Sequence, residues 1–167
     1  MAFYKISPTL AKEMRAGQFL KPPEPDTPGY KIVESSDPDF PQRTWREVFV
    51  IRDVAVKVDG DKEVVQFTLT VPNDVVSTNQ GRTANASFFF PWKAAERGEK
   101  GAQMGCSINY REVLALLTAV GYDGEFASLD QLPIAQLRNM RVSAQVRQAP
   151  DKDGTPRQNI GYFRAPK

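Results

Sequence analysis

The chain has 167 residues, of which 41% are hydrophobic and 25% are charged, and its formal net charge is +2. These values are ordinary for one globular domain and argue against a disordered chain. Histidine is absent and there is one cysteine. The usual zinc and transition-metal sites are therefore excluded, as are Ser-His-Asp and Cys-His catalysis.

The sequence predicts a cytoplasmic protein with no membrane partner. No apolar run approaches the roughly 18 residues that a membrane helix needs. The first residues, MAFYKISPTLAKEMR, lack the apolar core of a signal peptide. A lone Cys106 cannot form an intramolecular disulfide, which fits a reducing compartment, and we expect it to act as a small apolar side chain.

Positive charge is concentrated towards the end of the sequence. Residues 138–167 contain seven Lys or Arg and two Asp, a net charge of +5, so residues 1–137 carry −3. A basic region on a mildly acidic chain indicates an anionic partner. A solvated basic surface gives the same pattern.

Residues 1–44 predict an irregular N-terminal arm. SPTLAKEMRAG is typical of one short helix, with Ser7 as its N-cap and Gly17 as its stop. KPPEPDTPGY follows with four prolines, which enforce an extended path. We expect the arm to lie over the main domain, and a proline-rich ligand for a partner is the alternative. Its candidate anchors are Phe19, Tyr30, Ile32 and Phe40.

The domain predicted over residues 45–167 begins with two long strands. WREVFVIRDVAVKV alternates, and its expected inward residues are Val48, Val50, Val54, Val56 and Val58. Arg52 interrupts this row, so we expect either a buried carboxylate beside it or a bulge that turns it outward. After the turn DGDK, alternation resumes with the inward residues Val65, Phe67, Leu69 and Val71.

The segment ANASFFFPW predicts a third strand that ends at Pro91. Alternation places Phe89 on the polar outer face. The residues expected to face inward are Ala84, Ala86, Phe88 and Phe90.

A helix and two further strands complete the domain. NYREVLALLTAVG predicts a helix that ends at Gly121, whereas the preceding KAAERGEKGAQMG indicates a charged loop or short helix. MRVSAQVRQ predicts the fourth strand, with Arg141 and Arg147 facing outward and with Met140, Val142, Ala144 and Val146 inward. NIGYFRA predicts the fifth, in which either Tyr162 or Phe163 is exposed.

The order of three strands, a helix and two strands is that of an OB-fold, a five-stranded Greek-key barrel. Other α+β arrangements share this order. From the OB-fold order, the predicted fold class is mainly β with one helix, an OB-fold-like barrel with a proline-rich arm.

An exposed aromatic ring near arginines and amides is typical of a surface for single-stranded nucleic acid, where bases stack and phosphates pair. Trp45 and Trp92, at strand ends, are more often core residues than ligand contacts. The candidate nucleic-acid-binding residues are Phe89, Arg141, Arg147, Trp92, Lys93, Trp45, Arg46, Arg82, Tyr162 and Arg164.

The segments VFVIRDVAVKV, REVLALLTAVGYDG and RVSAQVRQAPDKDGTPRQNIGYFRAP carry a resemblance to a known family. Residues 45–166 are similar in layout to small phage-encoded single-stranded DNA-binding proteins of replication and recombination. The resemblance implies a non-catalytic protein that coats transient single strands with little sequence preference. Replication or recombination proteins and further copies of the chain are then the expected partners. The ending FRAPK departs from the acidic tail of many such proteins, which puts recruitment through that end in doubt.

Single-stranded DNA binding without cofactor or metal is therefore the leading prediction. The alternative is a structural or adaptor protein that uses the same small barrel to dock a protein. An enzyme is the third hypothesis. A nuclease would need clustered carboxylates to bind Mg²⁺. The one dense acidic group is Asp53, Asp59, Asp61 and Glu63, and two of these are typical turn residues.

Overall fold

A computed structural model describes residues 19–34, 41–150 and 156–166 of the chain. Within them, six strands form one antiparallel sheet in the order β4-β3-β2-β5-β6, with β1 paired to the start of β2. The strands are β1 (Lys31–Val33), β2 (Gln42–Asp59), β3 (Lys62–Thr70), β4 (Thr83–Phe90), β5 (Arg141–Pro150) and β6 (Pro156–Arg164). The mainly β prediction is confirmed. The helix predicted around SPTLAKEMRAG and most of the DKDGTP turn lie outside the described residues.

Strand β2 serves both halves of the sheet. Its residues 50–59 pair with β3 and its residues 43–50 pair with β5. Because every pairing is antiparallel, β4 and β6 both run in the direction of β2. No ladder of hydrogen-bonded pairs joins β4 to β6 among the described residues, so the sheet is open there.

A bulge at Arg52 reverses the alternation of β2. Two steps along β2, from Ile51 to Asp53, oppose one step along β3. Trp45, Phe49 and Ile51 therefore face inward before the bulge and Val54 faces inward after it. Arg52 is exposed, so the bulge is the correct alternative for this residue.

Of the inward row predicted for β2, Val50 and Val54 are buried and Val56 is partly buried against the core, whereas the prediction was wrong at the other two positions. Val48 is only half-buried because it lies on the opposite side from the inward residues before the bulge. Val58 is 77% exposed because it lies at the tip of the β2–β3 hairpin, beyond the core.

The predicted core residues of β3 and β4 are confirmed. Every inward residue of these two strands is buried, and the rings of Phe67 and Phe88 meet edge to face at 6.0 Å. In β5, Val142, Ala144 and Val146 are buried as predicted, whereas Met140 precedes the strand and is 38% exposed.

The described residues contain three α-helices, α1 (Trp92–Glu96), α2 (Lys100–Ala119) and α3 (Ile134–Leu137), with a 3₁₀ turn over Leu129–Gln131. The sequence predicted one helix without an alternative in this part of the chain, at NYREVLALLTAVG. Helices α1 and α3 span about one turn each. Such short segments do not show a helical repeat of apolar residues in the sequence, so the repeat could not predict them. Helix α2 begins at Lys100, within the segment predicted as a charged loop or short helix, and Gln103 Nε2 donates to the Ala95 carbonyl of α1.

Helix α2 closes the core from one side. Val113, Leu116 and Leu117 are fully buried against the sheet, and Cys106 is buried as an unpaired thiol. Burial raises the pKa of that thiol. No helix of the described residues is long and apolar enough to cross a membrane.

Residues 19–34 pack against the end of the sheet where β2, β5 and β6 meet. Leu20 is 1% exposed, its backbone N–H donates to Gln158 Oε1 at 2.9 Å, and its carbonyl accepts from Gln148 Nε2 at 2.7 Å. Tyr30 packs on Trp45 with ring centroids 6.1 Å apart. Phe19 is buried and Ile32 is 44% exposed, while Phe40 lies outside the described residues.

Candidate nucleic-acid interface

The gap between β4 and β6 holds a cleft of about 260 Å³. Helix α2 forms one wall and bonds to both strands. Asn109 Nδ2 donates to the Phe89 carbonyl of β4 at 2.7 Å, and Glu112 Oε2 accepts from the Tyr162 N–H of β6 at 2.9 Å. Asn109 and Glu112 lie one helical turn apart, so the backbones of Phe89 and Tyr162 are both bonded to the same turn of α2 from the two sides of the gap.

Phe89 presents an exposed ring on the outer face of β4. It is 50% exposed, whereas Phe88 and Phe90 on either side are 7% and 0% exposed. The β4 burial pattern alternates without a break and its register with β3 is regular. The predicted outward orientation of Phe89 is confirmed.

Tyr162, not Phe163, is the exposed aromatic residue of β6. Tyr162 is 65% exposed and Phe163 is 5% exposed. Three steps along β6, from Gly161 to Arg164, oppose two along β5, so β6 carries a bulge at this point. Tyr162 has a φ of 51°, in the left-handed region that favours glycine.

The neighbouring Gly161 makes the contact between β6 and α2 possible. A Cβ atom at this position would lie 2.7 Å from Glu112 Oε2, closer than such atoms approach. Glycine therefore lets the carboxylate reach the Tyr162 N–H and hold the bulge in place.

Arg46 of β2 lies beside Tyr162 and is fixed by three hydrogen bonds. Its guanidinium donates to Ser143 Oγ at 3.1 Å, to the Ser143 carbonyl at 3.0 Å and to the Tyr162 carbonyl at 2.8 Å. Burial lowers the pKa of Arg46, and the positive charge of Arg164 lowers it further. Neither arginine has a carboxylate in ion-pair contact within residues 19–34, 41–150 and 156–166.

We call the outer surface of β5 and β6, together with Arg46, the basic face. The two strands contain four arginines and no acidic residue. A positively charged surface of this kind attracts anions. Arg147 belongs to it, and its Nη2 donates to Gln42 Oε1 at 3.0 Å.

Two of the predicted cations are already paired with carboxylates. Arg141 Nη2 lies 2.8 Å from Asp74 Oδ2, and Lys93 Nζ lies 3.8 Å from Asp61 Oδ1. The hydrogen bond from Arg141 holds the pKa of Asp74 below its ordinary value. These residues therefore offer less free charge than Arg46 and Arg164.

The tryptophans and Arg82 do not belong to the basic face. Trp45 is 4% exposed and faces the core. Trp92 stacks on Phe90 with ring centroids 4.9 Å apart, at the start of α1. Arg82 lies in the connection before β4, where its backbone bonds to Val71 and Asn79. Both tryptophans thus pack into the protein, the more common role for such residues.

Glu47 is a buried carboxylate that sequence reasoning missed. It is 8% exposed, and it accepts from Ser77 Oγ at 2.8 and 2.9 Å and from Asn79 Nδ2 at 2.8 Å. Burial raises the pKa of Glu47, and these hydrogen bonds partly offset the rise. The alternation of Trp45, Phe49 and Ile51 places Glu47 inward once the bulge at Arg52 is recognised, and that was the available signal.

Metal chemistry finds no support in the described part of the chain, where no three His, Cys, Asp or Glu side chains lie close enough to hold an ion. Comparison of the chain with protein-family models, curated proteins and solved structures finds no match.

Proposed function

We propose that this chain binds single-stranded DNA with little sequence preference, along a surface that runs from Phe89 across the β4–β6 gap to the basic face. The observation that carries the proposal is the pairing of two exposed aromatic rings with arginines that lack a carboxylate partner among the described residues. Phe89 and Tyr162 supply the rings, and Arg46 and Arg164 supply the charge.

The aromatic rings suit the bases of a single strand, and the arginines suit its phosphates. An unpaired base has an exposed π-face that stacks on Phe or Tyr whatever its identity. Phosphates pair with guanidinium groups, and Arg46 is already oriented by Ser143 and Tyr162, so less conformational freedom is lost on binding. A duplex hides its base faces, which favours the single strand over the double strand.

The strand pairing supports an OB-type fold for this surface. The meander β2-β3-β4, followed by a helix and by β5 paired back to β2, is the order that such a barrel requires. The rings of Phe88 in β4 and Phe163 in β6 have centroids 6.0 Å apart. These two strands do not pair with each other, and a barrel would close between them. Together with the sequence resemblance, this makes phage DNA replication or recombination the setting that we propose.

Docking of a protein partner is the second candidate. The observation in its favour is the first half of α2, where Met104 and Ile108 are 65% and 50% exposed beside the β4–β6 gap. An apolar surface of this kind binds protein with little dependence on salt.

The test is an anisotropy titration of labelled oligo-dT a few dozen nucleotides long, at low and moderate salt, with a duplex of equal length as competitor. We expect single-strand affinity to fall steeply with salt. The double variant Arg46→Gln/Arg164→Gln removes two phosphate contacts and should flatten the log–log salt slope by about 1.4.

Arg97→Gln is the matched control, because Arg97 is already paired with Asp61 and Glu99. Absence of binding at low salt, or a slope that the double variant leaves unchanged, would overturn the proposal and favour the docking protein.

A further inference from the structure

A second and larger cleft, of about 590 Å³, lies at the end of the sheet. It is enclosed by residues 23–29, by β2 at residues 45–47 and by the connection at residues 76–80. This volume is in the range of sites that hold a small molecule or one nucleotide.

The Glu47 carboxylate forms the polar end of this cleft. It is over nine-tenths buried, and no Lys or Arg pairs with it within the described ranges. The one hydroxyl proton of Ser77, shared between the two carboxylate oxygens, and the N–H of Asn79 leave acceptor capacity on those oxygens. The Trp45 indole N–H lies beside this carboxylate and helps to offset the effect of burial on the pKa of Glu47. A desolvated carboxylate with spare capacity favours a ligand that brings an N–H donor.

The loop that carries these donors is itself fixed. Asn79 is 1% exposed, its Oδ1 accepts from the Lys21 N–H at 2.7 Å, and its Nδ2 donates to the Lys21 carbonyl at 2.8 Å. The carboxylate is therefore held in one place before any ligand arrives, as a built binding site requires.

The walls of the cleft suit a flat ring. Pro23, Pro28 and Val76 supply apolar surface, and Val76 is fully exposed. Arg46 lines the same cleft and bonds to the Tyr162 carbonyl of the basic face, so the two surfaces are continuous. A buried acceptor in a cleft that adjoins the basic face suits the N–H edge of a base in a strand held by that face.

We infer that this cleft holds one base of the bound strand, and that Glu47 selects a base with an exocyclic amino group by accepting its N–H. This inference rests on the proposed single-strand binding, and it adds one point of base preference to a surface that otherwise stacks on any base. Cytosine has such an amino group, and thymine presents a carbonyl oxygen in its place.

The test compares oligo-dC with oligo-dT of equal length by anisotropy at neutral pH, because the two pyrimidines have rings of similar size. We expect wild type to bind oligo-dC about tenfold more tightly, the effect of one hydrogen bond to a charged acceptor. Oligo-dC methylated twice on N4 has no such N–H and should lose this advantage, a result that needs no protein variant.

Glu47→Gln should bring the two affinities together, whereas Glu125→Gln, at an exposed acidic residue, should leave their ratio unchanged. Equal affinities in wild type, or a preference that survives in Glu47→Gln, would overturn the inference and leave single-strand binding intact. Loss of all oligonucleotide binding in wild type would instead remove the proposed function. A lysine-rich peptide that binds wild type but not Glu47→Gln would assign the cleft to a cationic partner and also overturn the inference.

Discussion

Strands β4 and β6 face the same gap, and each presents one exposed ring, but they do so by different means. In β4, Phe89 is exposed because regular alternation turns it outward between buried Phe88 and Phe90. In β6, the buried residues Ile160 and Phe163 lie three positions apart, and Tyr162 between them adopts a φ of 51°.

The first exposure needs no distortion, whereas the second requires one. A left-handed conformation costs a non-glycine residue about 1–2 kcal/mol. Tyr162 recovers little of this through packing, since its side chain is 65% exposed. Hydrogen bonds to Glu112 and from Arg46 hold this conformation, which also turns Phe163 into the core. The exposed ring itself gains little from the fold, so we expect it to serve the proposed binding.

The largest expected effect is a difference in stability between alanine variants of two neighbouring residues of β4. Phe90→Ala removes a fully buried ring that stacks on Trp92, and it should cost about 3–5 kcal/mol of unfolding free energy. Phe89→Ala should cost less than about 1 kcal/mol, because half of its surface is already in water. Urea unfolding followed by circular dichroism measures both, and equal losses would show that Phe89 is a core residue.

The next effect tests whether both strands contribute to binding. Phe89→Ala and Tyr162→Ala should each weaken oligo-dT binding by about 1–3 kcal/mol, the contribution of one stacked base. Val58→Ala, at an exposed apolar residue of the hairpin tip, is the control and should leave the affinity unchanged. Anisotropy titrations give the three values, and a loss confined to one strand would mean that the surface does not cross the gap.

A smaller effect isolates the strain in β6. Tyr162→Gly and Tyr162→Ala both remove the ring, but only glycine adopts a φ of 51° without cost. The glycine variant should therefore be more stable than the alanine variant by about 1 kcal/mol, with equally weak oligo-dT binding. Thermal or urea unfolding decides the matter, and an alanine variant of equal stability would remove the case for strain.

The smallest effect concerns the far end of β5, away from the gap. Asp74→Asn releases Arg141 from its ion pair and should steepen the salt slope of oligo-dT binding by about 0.7, the share of one phosphate contact. Arg141→Gln should change the slope little, because the charge is already compensated. A slope that falls in Arg141→Gln would show that Arg141 contacts a phosphate despite its ion pair and would contradict this prediction.

Much of the core was predictable, because burial on β3 and β4 follows alternation within one strand. The two bulges were not, since each depends on how a strand registers against its partner. The outward turn of Arg52 was one of two alternatives, and the exposure of Tyr162 over Phe163 stayed open. The ion pair of Arg141 joins residues 67 positions apart, and it therefore depends on the tertiary fold.

The candidate site was also predicted only where local alternation decides the position of a residue. Phe89 follows from local alternation, whereas the inward position of Glu47 appears only when the bulge at Arg52 is known. The start of α2 was missed because glycines at 101 and 105 lower helix propensity, which tertiary packing overrides.

The double use of β2 sets an order of assembly. The β2–β3 hairpin joins residues that are neighbours in sequence, whereas Arg46 and Tyr162 lie 116 positions apart. Contacts of such long range form slowly, because a large loop must close before they stabilise the chain. During synthesis, Phe89 can reach its place long before its counterpart exists, so the chain gains both rings only when β6 has left the ribosome.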